Sequence, residues 1–323
     1  MTTPLGTAAG STVLRLAWLS DMHVRQDAKS VEGFTRALLR AQSLQQPIAA
    51  ILNGGDCVFD SLKADWSTTQ MQWQAFHDVL SNHLHVPIYH CIGNHDIWGW
   101  GRSDPGLESD PLYGIRFAMK ELGLQSPYYS FDLGGWHFIV LNSTHPSILP
   151  PGAPYAQIPY TARLDDGQFA WLSRELDTTP AGTPICILSH IPLFSTGELL
   201  DGPNETSGNW VVPGAWVHID ARRIVNLFHA HPNVRVCLSG HTHEYGHMEF
   251  AGHDDGDRSV QNHSVSYWAN GAVSGGWWRG SHIGFPPAIV AVNLHSDGSA
   301  DTKFIPYEEV PADPGAVDIP PQP

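Results

Sequence analysis

Seven side chains able to ligate metal ions close five separate apolar runs in this 323-residue chain. Asp21 and His23 follow RLAWLS, Asp56 follows AAILNGG, and Asn94 follows PIYHCIG with His95 and Asp96 directly behind it. His190 follows PICILS, and His241 and His243 follow VRVCLSG. The donors are carboxylate, amide and imidazole, with no thiolate among them, which suits Mn, Fe, Co, Ni or Zn. Seven donors are more than one ion needs, whereas two ions sharing a bridging carboxylate would use them all.

The spacing is informative. Asp21/His23 and His241/His243 are i, i+2 pairs, which in extended backbone point to one side while Met22 and Thr242 point away. Gly55, Gly93 and Gly240 immediately precede a proposed ligand, where close backbone approach costs glycine little. If the five runs are neighbouring strands, their carboxyl ends open on one crevice, the usual place for a ligand in an open α/β sheet.

The elements needed to place these residues can be read from periodicity. Strands are expected over 13–20, 48–55, 86–93, 183–190, 234–238, 264–273 and 287–294. Helices are expected over 30–44, 67–84, 113–122, 164–176 and 215–231. Residues 128–142 read as a hairpin turning at Gly134-Gly135. The early alternation of strand and helix predicts largely parallel pairing. A single domain over 13–309 is expected, after an N-terminal extension at 1–12 and before a Pro-rich acidic tail at 310–323.

Composition narrows the function classes. Hydrophobic residues make up 42% of the chain, enough for a sizeable core. A formal charge of −15 argues against a surface for long nucleic acid, though a metal pair would reverse the sign locally for a small phosphorylated substrate. The four cysteines lie in or beside apolar runs without a CxxC pair and read as buried thiols. The N-terminus has no signal-peptide pattern and no run is long enough to span a membrane, so a soluble cytoplasmic protein is the simplest expectation. The oligomeric state is not legible.

In order, the chain carries DMH at 21–23, GD at 55–56, GNHD at 93–96, a lone His190 in SHIP, and GHTH at 240–243. This series resembles the calcineurin-like metallophosphoesterases, whose pattern is DxH, GD, GNH[DE], a lone His and GHxH. The likeness extends over about residues 13 to 250. It implies an α/β fold of four layers, an αββα sandwich of two mixed sheets flanked by helices. It implies Asp21, His23 and His243 on one metal, Asn94, His190 and His241 on the other, and Asp56 between them. His95 would contact the substrate as general acid or transition-state stabiliser, and Asp96 would orient its neighbours. One position departs from related patterns. Purple acid phosphatases place a ferric-iron Tyr three residues after the GD aspartate, and the protein-phosphatase branch places there an Asp that supports the catalytic His. This chain has Phe59, which argues against a ferric centre, and Asp60 one residue on is a weak substitute.

The resemblance implies hydrolysis of a small phosphoester with a metal-held hydroxide as nucleophile, assisted by two divalent or mixed-valence transition ions. Few basic residues adjoin the motifs, so a phosphodiester, cyclic or aryl, is expected in preference to a monoester dianion. Trp98, Trp100 and Arg102 after GNHD, and Trp277, Trp278 and Arg279 in SGGWWRG, are the candidates for a substrate wall. The alternative for these tryptophans is loop or core packing. A monoesterase or triesterase of the same superfamily, or a scaffold of the same fold without catalysis, are the competing functions. Glu244 and His247 lie either near the ligands or in solvent.

Overall fold

Burial of the first strand on both faces explains the architecture. In this computed structural model, which describes residues 10–197, 208, 210–251 and 263–307, β1 spans Thr12–Leu19. Its Leu14, Leu16 and Trp18 face one apolar layer while Ala17 and Leu19 face another. A strand buried on both faces belongs in the middle of a sandwich.

The first sheet adds β2 (Ala50–Asn53), β3 (Ile88–His90), β12 (Ala288–His295) and β13 (Ala300–Pro306), in the order β13-β12-β1-β2-β3. The second contains β4 (Tyr129–Leu133), β5 (Trp136–Leu141), β8 (Ile185–Ser189), β9 (Val234–Ser239), β10 (Tyr245–Ala251) and β11 (Ser264–Asn270), in the order β10-β11-β9-β8-β5-β4. Both are mixed. β1, β2 and β3 run parallel, as do β5, β8, β9 and β11, while β12, β13, β4 and β10 pair antiparallel. A two-stranded ribbon of β6 (Thr144–Pro146) and β7 (Tyr160–Ala162) completes the β structure of the described residues.

Three apolar layers hold four layers of structure. Leu16, Trp18 and Val292 meet Phe138, Leu188 and Val236 between the sheets. Outside the first sheet, α1 (Ala28–Gln42) and α2 (Trp66–His83) bury Phe34, Leu38, Trp73 and Phe76 against Leu19 and Ile51. Outside the second, α4 (Asp166–Thr178) and α5 (Ala221–His229) bury Leu172, Ile224 and Phe228 against Ile139 and Ile187. Asp27, Asp65 and Asp165 cap α1, α2 and α4 by accepting from the backbone N–H three residues on. A short α3 (Ile115–Glu121) follows the Trp-rich loop.

The helix expected over 215–231 begins only at Ala221. Residues 214–219 are instead drawn alongside β7, where Ala162 N–H donates to Gly214 and Ile219 N–H to Ala162. Strands β6, β7, β10 and β13 lie outside the expected set. Residues 1–9 of the expected extension and the tail at 310–323 fall outside the described residues, and Thr12 already belongs to β1.

Candidate metal centre and active site

The carboxyl ends of β1, β2 and β3 from one sheet and of β8 and β9 from the other meet, bringing all five motif segments together. The turns are made by unusual backbone. Among the described residues nine non-glycine residues take a left-handed φ, and five are Asp21 (57°), His23 (45°), Asp56 (53°), His241 (72°) and His243 (55°). The i, i+2 pairs are therefore not extended, as their spacing suggested. Each left-handed residue costs about 1–3 kcal/mol, a strain that persists where surrounding structure over-determines it. Met22, between the first pair, does turn away into the core. Glycine is required where the segments touch: a Cβ on Gly93 would collide with Asp56 Oδ1, and one on Gly240 with Ser20 Oγ.

Two clusters result, one of Asp21, His23 and His243, the other of Asp56, His190 and His241, and His95 joins His23 and Asp56 in a third group that links them, with the ligating atoms of each group within 4.8 Å of one another. His243 Nε2 lies 3.1 Å from His23 Nε2 and 3.4 Å from Asp21 Oδ1. In the second cluster His190 Nε2 is 3.3 Å from Asp56 Oδ2 and 3.1 Å from Asn94 Oδ1. Asp56 Oδ2 also stands 3.8 Å from His23 Nε2, so this carboxylate faces both groups. Donors bound at roughly 2.0–2.2 Å in a tetrahedral shell sit about 3–3.5 Å apart, the spacing seen here.

The tautomers fit a cation. His243 Nδ1–H donates to Gly275 O at 2.6 Å and His190 Nδ1–H to Gly54 O at 2.8 Å. Such bonds orient the ring and aim the Nε2 lone pair at the cluster when the imidazole is neutral. Among the described residues His23 lacks this support, its Nδ1 being buried without a hydrogen-bond partner. Asp21, His23, Asp56, Asn94, His190 and His243 are all buried, and His241 is partly so.

The electrostatics of these side chains follow from their crowding. Burial works to raise Asp21, but the charge and hydrogen bonding of His243, with His190, bring its carboxyl down to about 2. Burial likewise opposes ionisation of Asp56, and the charges of His190 and His95 outweigh it, holding Asp56 well below the usual carboxylate range. His190 moves up to about 9, because Asp56 overcomes the effect of burial. Burial takes His241 down to about 3, assisted by His190.

His95 projects beside these groups, its ring edge-on to His23 at 4.8 Å between centroids. Its amide donates to Asp56 Oδ1 at 2.8 Å and its Nδ1 to the carbonyl of Phe59 at 2.6 Å. Asp60 is otherwise engaged, accepting from Lys63 N–H. Asp96 organises the turns, accepting from the amides of Gly93, Asp56 and Cys57 at 2.9, 3.1 and 2.8 Å. Burial and the nearby Asp56 charge push Asp96 up to about 7.

The six substrate-wall candidates separate. Trp277 stays, its ring 4.3 Å from that of His243 and 5.9 Å from that of His23. Arg279 lies in the same loop, half-exposed. Trp278 is structural: its indole is buried under Gly33 of α1 and donates to the His23 carbonyl at 3.0 Å. Trp98 is core, packed on Trp66 and Phe117, and the Trp100 indole lies against Gly114. Arg102 is turned to Asp104 and the Lys63 carbonyl. Glu244 is buried and braces the segment after His190, accepting from Ser195 Oγ and Gly197 N–H, whereas His247 is exposed and stacks on Trp268.

Two neighbours of the centre carry no motif signal. Tyr160 of β7 is edge-on to His241 at 6.5 Å, and His282 is edge-on to His243 at 5.5 Å. The density of Gly and aromatics in SGGWWRGSHIG is the one sequence feature that points toward His282.

Comparison with known proteins agrees with this geometry. The model of the calcineurin-like phosphoesterase family matches residues 14–245. The chain belongs to that family. It is a metal-dependent phosphoesterase, a hydrolase, and its His/Asp clusters could hold the metal ions of the family. Among relatives of this calcineurin-like phosphoesterase, a 3′,5′-cyclic-nucleotide phosphodiesterase from Nostoc sp. is 23% identical over 319 residues, spanning 93% of this chain and 96% of the relative. A manganese-dependent ADP-ribose/CDP-alcohol diphosphatase from Arabidopsis thaliana is 22% identical over 185 residues, half of this chain and 55% of its own. A dimetal phosphatase from Danio rerio superposes with a TM-score of 0.60 at 15% identity, covering 93% of this chain and 98% of the other. That likeness reports the fold.

Proposed function

We propose that this phosphoesterase hydrolyses phosphodiesters, with a preference over monoesters, using Asp21, His23 and His243 for one ion, Asn94, His190 and His241 for the second, and Asp56 for both. The observation that carries the substrate class is the wall beside the first cluster, which is aromatic where a dianion would call for cations. Trp277 covers His243. Two of the three arginines near the motifs are already engaged, Arg25 with Asp27 and the Phe59 face, Arg102 with Asp104. A diester carries one charge, needs fewer cationic contacts, and offers a second arm to an apolar surface. The likeness to the Nostoc phosphodiesterase over nearly the whole chain supports the same class.

Bound cations would acidify a water and neutralise charge on the phosphoryl oxygens. The chain's own residues supply the rest. Asp56 ties the two clusters together and, through the His95 amide, fixes the loop that carries His95. His95, anchored at Nδ1 by the Phe59 carbonyl, offers Nε2 to the departing oxygen, and its protonated form gives that oxygen a proton. No residue needs to form a covalent bond to phosphorus.

A second reading, cleavage of a phosphoanhydride between two organic arms, is favoured by the likeness to the Arabidopsis diphosphatase. The deciding experiment is a hydrolysis panel of aryl and cyclic diesters, an aryl monoester, a triester and ADP-ribose after loading with manganese, iron, zinc or cobalt. Highest kcat/KM on a diester is expected. Faster monoester turnover under every metal overturns the substrate class.

A further inference from the structure

Beyond the metal ligands, the feature that stands out is the segment from Ser274 to Pro287. Six of its residues have a left-handed φ, and Trp277 (52°), Trp278 (67°) and Ile283 (46°) are not glycine. Left-handed backbone at a bulky or β-branched residue is a true outlier, and such outliers cluster at ligand clamps. The segment is fastened on both sides of the first cluster. Its Gly275 carbonyl receives the His243 Nδ1 proton, and its Trp278 indole donates to the His23 carbonyl. Gly276 N–H closes the inner turn on Gly280 O at 2.8 Å.

The outer turn presents His282. His282 and Phe285 exchange backbone hydrogen bonds at 2.9 and 2.7 Å across Ile283 and Gly284, whose φ values of 46° and 85° are both positive. Positive φ at both central positions is a type I′ turn, and Ile is a poor residue for it. The imidazole this turn places is half-buried and edge-on to both His243 (5.5 Å, 73°) and Trp277 (5.4 Å, 83°). Among the described residues neither ring nitrogen of His282 has a hydrogen-bond partner, although its neighbours His243 and Trp278 are bonded. A polar ring held by strained backbone, beside the candidate active site and not spent on the protein, is free to bond a substrate oxygen.

We propose that His282 is a specificity-determining residue that, with the Trp277 face, holds the second ester arm of the substrate: the ring of Trp277 covers the arm's flat apolar part and His282 hydrogen-bonds an oxygen of the same phosphoryl group or arm. The inference rests on the phosphodiesterase reading above. Packing alone would make His282 replaceable by any ring of similar size.

The test uses the full-length protein loaded with manganese ions. kcat and KM are measured on bis(4-nitrophenyl) phosphate and 4-nitrophenyl phosphate, metal content is assayed, and diphenylphosphinate, a two-armed anion with no ester bond to cleave, is titrated by calorimetry. H282A should lower kcat/KM on the diester about tenfold and on the monoester by about threefold or less, as expected for loss of one substrate hydrogen bond. H282N or H282Q should recover part of the loss, and H282F should not. Metal content should stay at the wild-type level in all four. Diester kinetics unchanged in H282A, full activity in H282F, or equal losses on both esters with loss of metal each overturn the proposal. A wild type that prefers the monoester refutes the phosphodiesterase reading instead. The titration then decides: weaker diphenylphosphinate binding in H282A still supports a contact to the second arm, and unchanged binding overturns it.

Discussion

His95 is held by the backbone of Phe59, its Nδ1 donating to that residue's carbonyl at 2.6 Å. The position where a related branch carries a carboxylate for this purpose thus supports the histidine through its main chain, and the Phe59 side chain is left to pack against the Arg25 guanidinium. Phe59→Ala should therefore keep kcat within about threefold of wild type, since a backbone acceptor survives side-chain truncation. His95→Ala should retain metal but lose about 10²–10⁴ in kcat. The loss should shrink as the leaving group becomes more acidic. Rates across a series of aryl diesters, with metal assayed in parallel, check both expectations; an equal loss across the series would leave electrostatic stabilisation as the role of His95.

Asp56 faces both clusters and also receives the His95 amide. Asp56→Ala should abolish turnover and release both ions rather than one. Elemental analysis after gel filtration is the measurement, and two ions retained per chain would contradict the bridging role.

Metal uptake should release protons and weaken on acidification. In the metal-free protein His190 is raised to about 9 by Asp56 against the opposing effect of burial, so near neutral pH its ring carries a proton that a cation must displace. His241 is lowered to about 3 by burial and the His190 charge, and is already neutral there. The apparent affinity should rise as pH climbs toward 9 and level off above it. For the metal-free fold the sign is opposite. The contribution of His190 is complete below its ordinary value of 6.5 and is lost as pH rises through about 9. Calorimetric titration with manganese in buffers of different ionisation enthalpy reads the released protons directly, and a pH-independent affinity between 6 and 9 would refute this account.

The tryptophans should part company under mutation. Trp277→Ala should reduce the diester-to-monoester ratio of kcat/KM with little change in Tm. Trp278→Ala should cost about 3–5 kcal/mol of stability, the range for emptying a buried aromatic site. Trp100→Ala should leave the ratio unchanged. Thermal unfolding beside kinetics on both esters distinguishes the three, and an unaltered ratio in the Trp277 variant would remove the aromatic wall.

Much of the centre was legible because strand ends announce themselves. An apolar run that stops on Asp, Asn or His marks both the strand and the residue it delivers, and the five runs that do so end beside one another. The conformation was not legible. Asp21/His23 and His241/His243 look like alternating extended pairs, yet all four residues adopt left-handed backbone. Asp and His tolerate that region better than most residues, but their presence does not announce it. The three-residue strands β6 and β7 escaped notice because so short a segment shows no period, and β10 because its side chains are largely exposed. Trp98 and Trp277 are the same residue type in similar Gly/Trp contexts. Only tertiary packing sends one into the core and the other over His243.

The attachment of the 274–287 segment to His243 through Gly275 and to the His23 backbone through Trp278 has a further consequence. The part of the enzyme that would choose among substrates also steadies two of the groups that would grip an ion. Evolution cannot revise one freely without touching the other. Exchanging this segment for that of another family member should shift cation preference together with substrate preference, so that selection for a new ester would bring with it a change in the metal diet of the host.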